Sequence, residues 1–198
     1  MKKFIESIKN RRSIYSIGKS ITVSDDEIIN MIKQALLHSP TPYNSQTNRA
    51  VLLIGEDHDD LWDIVLENLK KIVHAKNFLK TQEKIQSFKN GYGTILFFED
   101  EKVINSLMQK FPSYKESFSV WAMQASGMFQ HIIWTALSEM GLGASLQHYN
   151  PLIDDAVKVR WNLPVEWKLL AQMPFGQVLG EAGEKEFAPV EKTFRVFR

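Results

Sequence analysis

A chain of 198 residues, 44% hydrophobic and 24% charged, has enough apolar material for one domain with a sizeable core. Its net charge of +1 gives no bulk electrostatic case for nucleic acid or an anionic membrane as a partner. The absence of cysteine excludes disulfides, a thiolate nucleophile and a thiolate metal site, and the cytoplasm is the expected compartment.

The start, MKKFIESIKNRR, has no continuous apolar core and does not read as a signal peptide. Nor does any run of about eighteen apolar residues read as a membrane span. Residues 3–10 pattern as a short amphipathic helix carrying Phe4, Ile5 and Ile8. Ser24 and Glu27 form a capping box that opens a helix with Ile28, Ile29, Ile32, Ala35 and Leu36 inward, ending near Ser39. Pro40 and Pro42 are expected to exclude helix from the next segment and hold it extended. Ala50–Gly55 reads as a buried strand, and residues 57–73 as a helix with Leu61, Ile64, Val65, Leu69 and Ile72 on one face. Residues 76–90 are basic and less regular, which predicts a short helix and a mobile connection. Thr94–Phe98 is a second strand stopped by Glu99 and Asp100, and a helix over Val103–Lys110 precedes Pro112.

The organising stretch runs from Ser117 to Pro151. Val120, Trp121, Met123, Met128, Phe129, Ile132, Ile133, Trp134, Leu137 and Met140 leave only a narrow polar stripe of Gln124, His131, Thr135 and Ser138. That pattern predicts a buried central helix, packed on both sides and open to pairing with its own copy. Gly141 and Gly143 end it and aim Gln147, His148, Tyr149 and Asn150 at something. A helix over Pro151–Arg160 and a strand over Leu169–Met173 follow, with Phe175-Gly176-Gln177 turning out of that strand. Lys192–Phe197 alternates as a terminal strand that needs an edge, available on a partner subunit. The whole, residues 1–198, reads as one α+β domain.

Four places carry possible chemistry. Arg11, Arg12 and Ser13 suit a phosphate monoester, or form a solvated basic turn. Asn44 and Gln46 offer paired donors and acceptors for a heterocycle edge, or close their own loop. Gln147 to Asn150 form a polar cluster in which His148 lacks companions for a metal site or a general base role. Lys185 is a second phosphate cation or a surface lysine, and Lys80, Lys84 and Arg195 are weaker candidates. His131 reads as a hydrogen-bonded core histidine, and His38, His58 and His74 as surface groups. No dinucleotide, P-loop or nucleophile-elbow motif is present.

In this order, RRSIY, SPTPYNSQ, the apolar helix ending in GLGA, and LAQMPFGQ resemble the FMN-dependent nitroreductase family over nearly the whole chain. QHYN and the short length are similar to the subgroup of yeast fatty-acid-repression-type proteins and bacterial copper-inducible nitroreductases. The resemblance implies an α+β nitroreductase-like fold: a central, mainly antiparallel sheet flanked by helices in an intertwined homodimer. It implies two FMN sites at the interface, and hydride transfer from NAD(P)H through flavin to a nitroaromatic or quinone-type acceptor. No side chain then need act as acid or base. Arg11, Arg12, Ser13 and Lys185 would hold phosphate, ribityl or pyrimidine oxygens. Thr41, Pro42, Asn44 and Gln46 would line the ring, and Gln147, His148, Tyr149 and Asn150 would cover it with a backbone N–H near N5. Tyr15 and Phe187 stand where many members carry a basic residue. Tyr43, Phe111, Tyr114, Trp121 and Tyr149 are candidate walls for the acceptor, or core and interface packing. Two other readings stand beside this one: a flavin store or redox reporter without turnover, and a scaffold without cofactor.

Overall fold

The computed structural model describes residues 2–198. Helix α1 (Lys2–Asn10) leads through the short strand β1 (Ile17–Gly18) to α2 (Asp25–His38). Strand β2 (Asn48–Ile54), helices α3 (Glu56–Lys70) and α4 (Ala75–Lys89), strand β3 (Gly93–Asp100) and α5 (Glu101–Lys110) follow. The long helix α6 (Lys115–Glu139) runs into β4 (Leu142–Ala144), α7 (Asp154–Arg160) and the last strand, β5 (Trp167–Val178). All the strand pairings are antiparallel, in the order β1-β5-β3-β2, with β4 also on β5. The α+β class is as expected.

β3 and β5 are buried on both faces, which is why their sequences read as unbroken apolar runs. On one face Ile95, Phe97, Ala171, Met173 and Phe175 pack under Ile28 and Ile32 of α2 and Phe129, Ile133 and Leu137 of α6. On the other, Leu96, Phe98 and Leu169 meet Leu61, Trp62 and Val65 of α3, Ile85 and Phe88 of α4 and Val157 of α7. The Ser24–Glu27 capping box forms with both of its hydrogen bonds. Gly141, at φ 75°, ends α6 in the left-handed conformation.

Five expectations change. Residues 76–90 are not a short helix with a mobile connection: α4 runs unbroken to Lys89 with Asn90 as its C-cap, and its buried anchors Ile85 and Phe88 lie only in its last turns. Pro42–Asn44 is a 3-10 turn rather than extended chain, because Pro42 sits at the first helical position, where its missing N–H costs nothing. β5 does not turn out at Phe175 but continues to Val178, pairing with β1 and β4. Lys192–Phe197 is not a strand: Val190–Lys192 is a 3-10 turn, and Phe187, Phe194, Val196 and Phe197 are exposed and pair with no strand of the described sheet. The histidines exchange roles, since His131 is exposed and His58 is 1% exposed. His58 Nε2–H donates to the Lys89 carbonyl at 3.2 Å, and its Nδ1 accepts from the Thr94 hydroxyl at 2.9 Å. That hydroxyl in turn accepts from Trp62 Nε1 at 3.0 Å. Burial pushes the His58 pKa down to about 4.

Gly176 lies where β5 crosses β1. A Cβ there would overlap the Gly18 carbonyl oxygen and sit 2.9 Å from the Tyr92 nitrogen, both backbone atoms that cannot step aside. Gly176→Ala is therefore expected to cost about 3 kcal/mol and lower the melting temperature by roughly 6–12 °C. Thermal unfolding followed by circular dichroism checks it.

Candidate functional site

The Arg11–Ser13 strip is held at the C-terminal end of α6. Ser13 bridges to Ala144 of β4, Ile14 N–H donates to the Ala144 carbonyl at 2.9 Å, and Trp134 Nε1 donates to the same oxygen at 3.1 Å. The Arg11 guanidinium lies 4.4 Å over the Trp134 ring, and its Nε is buried without a partner. Burial, with the Arg12 charge beside it, lowers the Arg11 pKa. Among the described residues neither Arg11 nor Arg12 forms an ion pair. Two adjacent cations without a carboxylate, one partly desolvated, favour an anion. Arg12 Nη2 donates to the Gly183 carbonyl at 2.5 Å, which ties down the start of the C-terminal tail. Lys185 follows two residues later, within roughly 7 Å of Gly183 along the chain. Its ammonium lies 5.1 Å over the Phe187 ring and is exposed. Tyr15 is exposed.

β4 leads directly from Ala144 to the second cluster. Gln147 N–H donates to the Gln172 carbonyl at 2.7 Å, and Gln172 Oε1 accepts from Tyr149 N–H at 2.7 Å. These bonds fix the backbone around His148, whose side chain is exposed, and Asn150, half-buried. The Tyr149 ring turns inward, edge-on to Trp62 at 5.9 Å. Burial pushes its hydroxyl pKa up to about 12. It therefore packs in the core and stands apart from the other aromatic candidates.

The loop over Thr41–Gln46 stands at the opposite end of α6. Tyr43, Asn44 and Gln46 have φ of 55°, 50° and 51°, a left-handed conformation that side chains other than glycine rarely adopt. Besides the turn bonds from Asn44 N–H to the Thr41 carbonyl and from Ser45 N–H to the Pro42 carbonyl, Gln46 N–H donates to Thr41 Oγ1 at 2.9 Å and Arg49 Nη1 to the Gln46 carbonyl at 2.6 Å. Arg49 is itself anchored on Asp100 at 2.7 Å. The loop thereby presents the Asn44 and Gln46 side chains outward, both exposed. Tyr43 stacks on Phe111 at 4.7 Å, and Tyr114 and Phe118 pack on Trp121 at 5.8 and 5.3 Å. A groove of about 340 Å³ runs between Pro40–Tyr43 and Trp121, Gln124 and Met128.

Within one chain Arg12 ties the tail to the arginine strip and β4 leads from Ser13's partner Ala144 to Gln147, but the loop does not join them. The strip lies against Trp134 and the loop against Trp121. At 1.5 Å per residue these stations are about 20 Å apart along α6. Along its outer side α6 exposes Val120, Met123, Met128 and Ile132, so the helix expected to be buried on every side is covered on one side only within the chain.

A model of the nitroreductase family matches residues 8–177. The chain belongs to the nitroreductase family. It is 32% identical to the yeast (Saccharomyces cerevisiae) nitroreductase FRM2 over 93% of this chain and 92% of that protein. It is 45% identical to the nitroreductase CinD of Lactococcus lactis, with a TM-score of 0.91 over 98% of this chain and all (100%) of that one. CinD has been solved in complex with chloramphenicol and with 4-nitrophenol. A protein from Desulfovibrio desulfuricans solved in complex with FMN shares the fold at a TM-score of 0.69, with 20% identity over 98% of this chain and 96% of that one. The chain is thus an oxidoreductase of the nitroreductase family. Among the described residues no cluster of metal-ligating side chains occurs, and no helix is long and apolar enough to cross a membrane.

Sequence reasoning passed over Arg49, Trp134 and Gln172, which position the site. Gln172 carried a signal, as the lone polar residue in the buried run LLAQMPF. Trp134 was visible only as one apolar position among many on α6. Arg49 had no signal, because its role depends on Asp100, which lies far along the chain.

Proposed function

We propose that this protein is an FMN-dependent oxidoreductase that passes hydride from NAD(P)H to nitroaromatic or quinone-type acceptors, acting as a homodimer. The carrying observation is the separation of the two flavin-suited regions along α6, with an exposed apolar stripe between them. Pairing α6 of one chain antiparallel with that of its copy buries both stripes and brings each loop over the other chain's arginine strip. The exposed apolar tail gains a surface on the partner in the same arrangement, which makes the dimer intertwined.

The residues fit the cofactor. Arg11, with its buried unpaired Nε, and Arg12 would hold the phosphate, with Lys185 from the tethered tail. Ser13 would bond ribityl or pyrimidine oxygens. Asn44 and Gln46 of the partner copy would bond the ring edge, with Thr41 and Pro42 against it. Gln147 to Asn150 would cover the ring, with the His148 N–H facing it. When bound, FMN supplies a ring that accepts hydride from NAD(P)H and yields it to an electron-poor acceptor. The aromatic wall of Tyr43, Phe111, Tyr114 and Trp121 would exclude water and stack the acceptor. The complexes of CinD with chloramphenicol and 4-nitrophenol support a nitroaromatic acceptor.

FMN titrated into the purified chain should bind, and NADH or NADPH should bleach its colour under anaerobic conditions. Arg11→Ala should weaken FMN binding about 10–100-fold, the worth of a charge-assisted bond to phosphate. Tight binding with negligible bleaching would favour the storage reading, and no binding at all would remove both.

A further inference from the structure

Under the N-terminal half of α6 the sheet carries polar side chains with no part in the reading above. Asn48 of β2 pairs with Glu99 of β3, and Glu99 with Lys168 of β5. Glu99 is 3% exposed and Asn48 5%. Glu99 Oε1, both polar side-chain atoms of Asn48, and the hydroxyls of Thr47 and Ser45 are buried without a protein hydrogen-bond partner. Such atoms are costly unless ordered water or a ligand meets them. A cavity of about 180 Å³ adjoins Glu99, bounded by Asn105 and Met108 of α5, Ser119 and Met123 of α6, and Glu101 and Lys168. It has room for several waters at about 30 Å³ each. Asn48 lies two residues beyond Gln46, so by strand geometry the Cα atoms of Glu99 and Gln46 are within roughly 12 Å.

We propose that Glu99 holds the proton of an ordered-water relay that serves the acceptor, an inference that rests on the oxidoreductase reading. Reduction of a nitro group to nitroso consumes a hydride and a proton: ArNO2 + NAD(P)H + H+ gives ArNO, NAD(P)+ and H2O. A quinone takes up the same hydride and proton to give the hydroquinone. The Glu99 O–H bond breaks as its proton passes to water beside Asn48 and Thr47. The last water of the row gives a proton to the acceptor oxygen, where the new O–H bond forms. The carboxylate left behind regains a proton from solvent past Glu101 and Lys168. Burial pushes the Glu99 pKa up to about 7, with Lys168 lowering it and Glu101 raising it. These are the charged groups that face it, since α6 presents Ser119 and Met123 and β2 presents Asn48.

The test pairs Glu99→Gln with Lys168→Met. In FMN-free protein, infrared difference spectra of wild type minus Glu99→Gln should show one carboxyl band titrating near pH 7. In flavin-loaded protein, Glu99→Gln should slow acceptor reduction at least about tenfold while leaving FMN binding and bleaching by NAD(P)H within about twofold. It should also remove the break near pH 7 in the acceptor step, and Lys168→Met should move that break to higher pH. A band titrating in the ordinary carboxylate range, or a Glu99→Gln profile superimposable on wild type, would overturn the relay and leave the flavin reading standing. A wild-type chain that takes up no FMN would overturn both.

Discussion

A Met128→Asp chain is expected to run as a monomer and to hold FMN at least about tenfold more weakly than the parent. Met128 is 45% exposed on the outer face of α6, in one stripe with Val120, Met123 and Ile132, and it borders the groove beside Thr41 and Pro42. In a two-fold dimer the substitution enters the seam twice. Each unpaired carboxylate that loses water costs about 2–3 kcal/mol, so self-association should weaken roughly 10³–10⁴-fold. The fold itself should persist, because Met128 belongs to none of the clusters of buried apolar side chains. Sedimentation with far-ultraviolet circular dichroism separates the two effects: mass should halve while helicity stays. An unchanged dimer with full flavin affinity would mean that α6 does not form the seam.

The second large effect is a pair of opposed pH dependences of stability. The His58 pKa is pushed down from 6.5 to about 4 in the folded state. Its contribution is complete above the unfolded value and is lost as pH falls toward 4, a change of about 3 kcal/mol. The Glu99 pKa is pushed up from 4.5 to about 7. Its contribution is complete below 4.5 and is lost as pH rises through 7, and with water in the adjoining cavity screening the charge it amounts to about 2 kcal/mol. The two slopes largely cancel in the wild-type chain between these values. Glu99→Gln should uncover stability that climbs with pH from about 4 to 6.5, and His58→Gln stability that declines from about 4.5 to 7. The remaining carboxylates are common to all three chains and drop out of the differences. Urea unfolding across this range checks both signs, and three parallel profiles would contradict the burial of these groups.

Elements whose cause is local were legible in the sequence. The Ser24–Glu27 box starts α2 through atoms three residues apart, and β3 and β5 announce themselves because both their faces are buried. Elements whose cause is distant were not. β1 and β4 span only a few residues and exist because β5 offers them an edge. The alternation of Lys192–Phe197 is real, but among the described residues no strand pairs with it and its apolar side chains stay exposed. His58 was readable after all: with Leu61, Trp62 and Val65 it falls on the buried stripe of α3, and weighing its position above its polarity would have placed it. The residues of the candidate site were legible as motifs. Their division between two ends of α6 was not, since it follows from the helix length and from what packs at each end.

Subunit mixing tests the shared site most directly. Arg11→Ala chains and chains carrying both Asn44→Ala and Gln46→Ala are each expected to bind FMN poorly. Exchange of equal amounts by mild denaturation and refolding makes about half of the dimers mixed, each with one fully intact and one doubly damaged site. Convergence across the seam predicts that tight FMN binding returns at about a quarter of all sites. If instead each site belonged to one chain, every site in the mixture would remain damaged, and no recovery of tight binding would contradict the shared site.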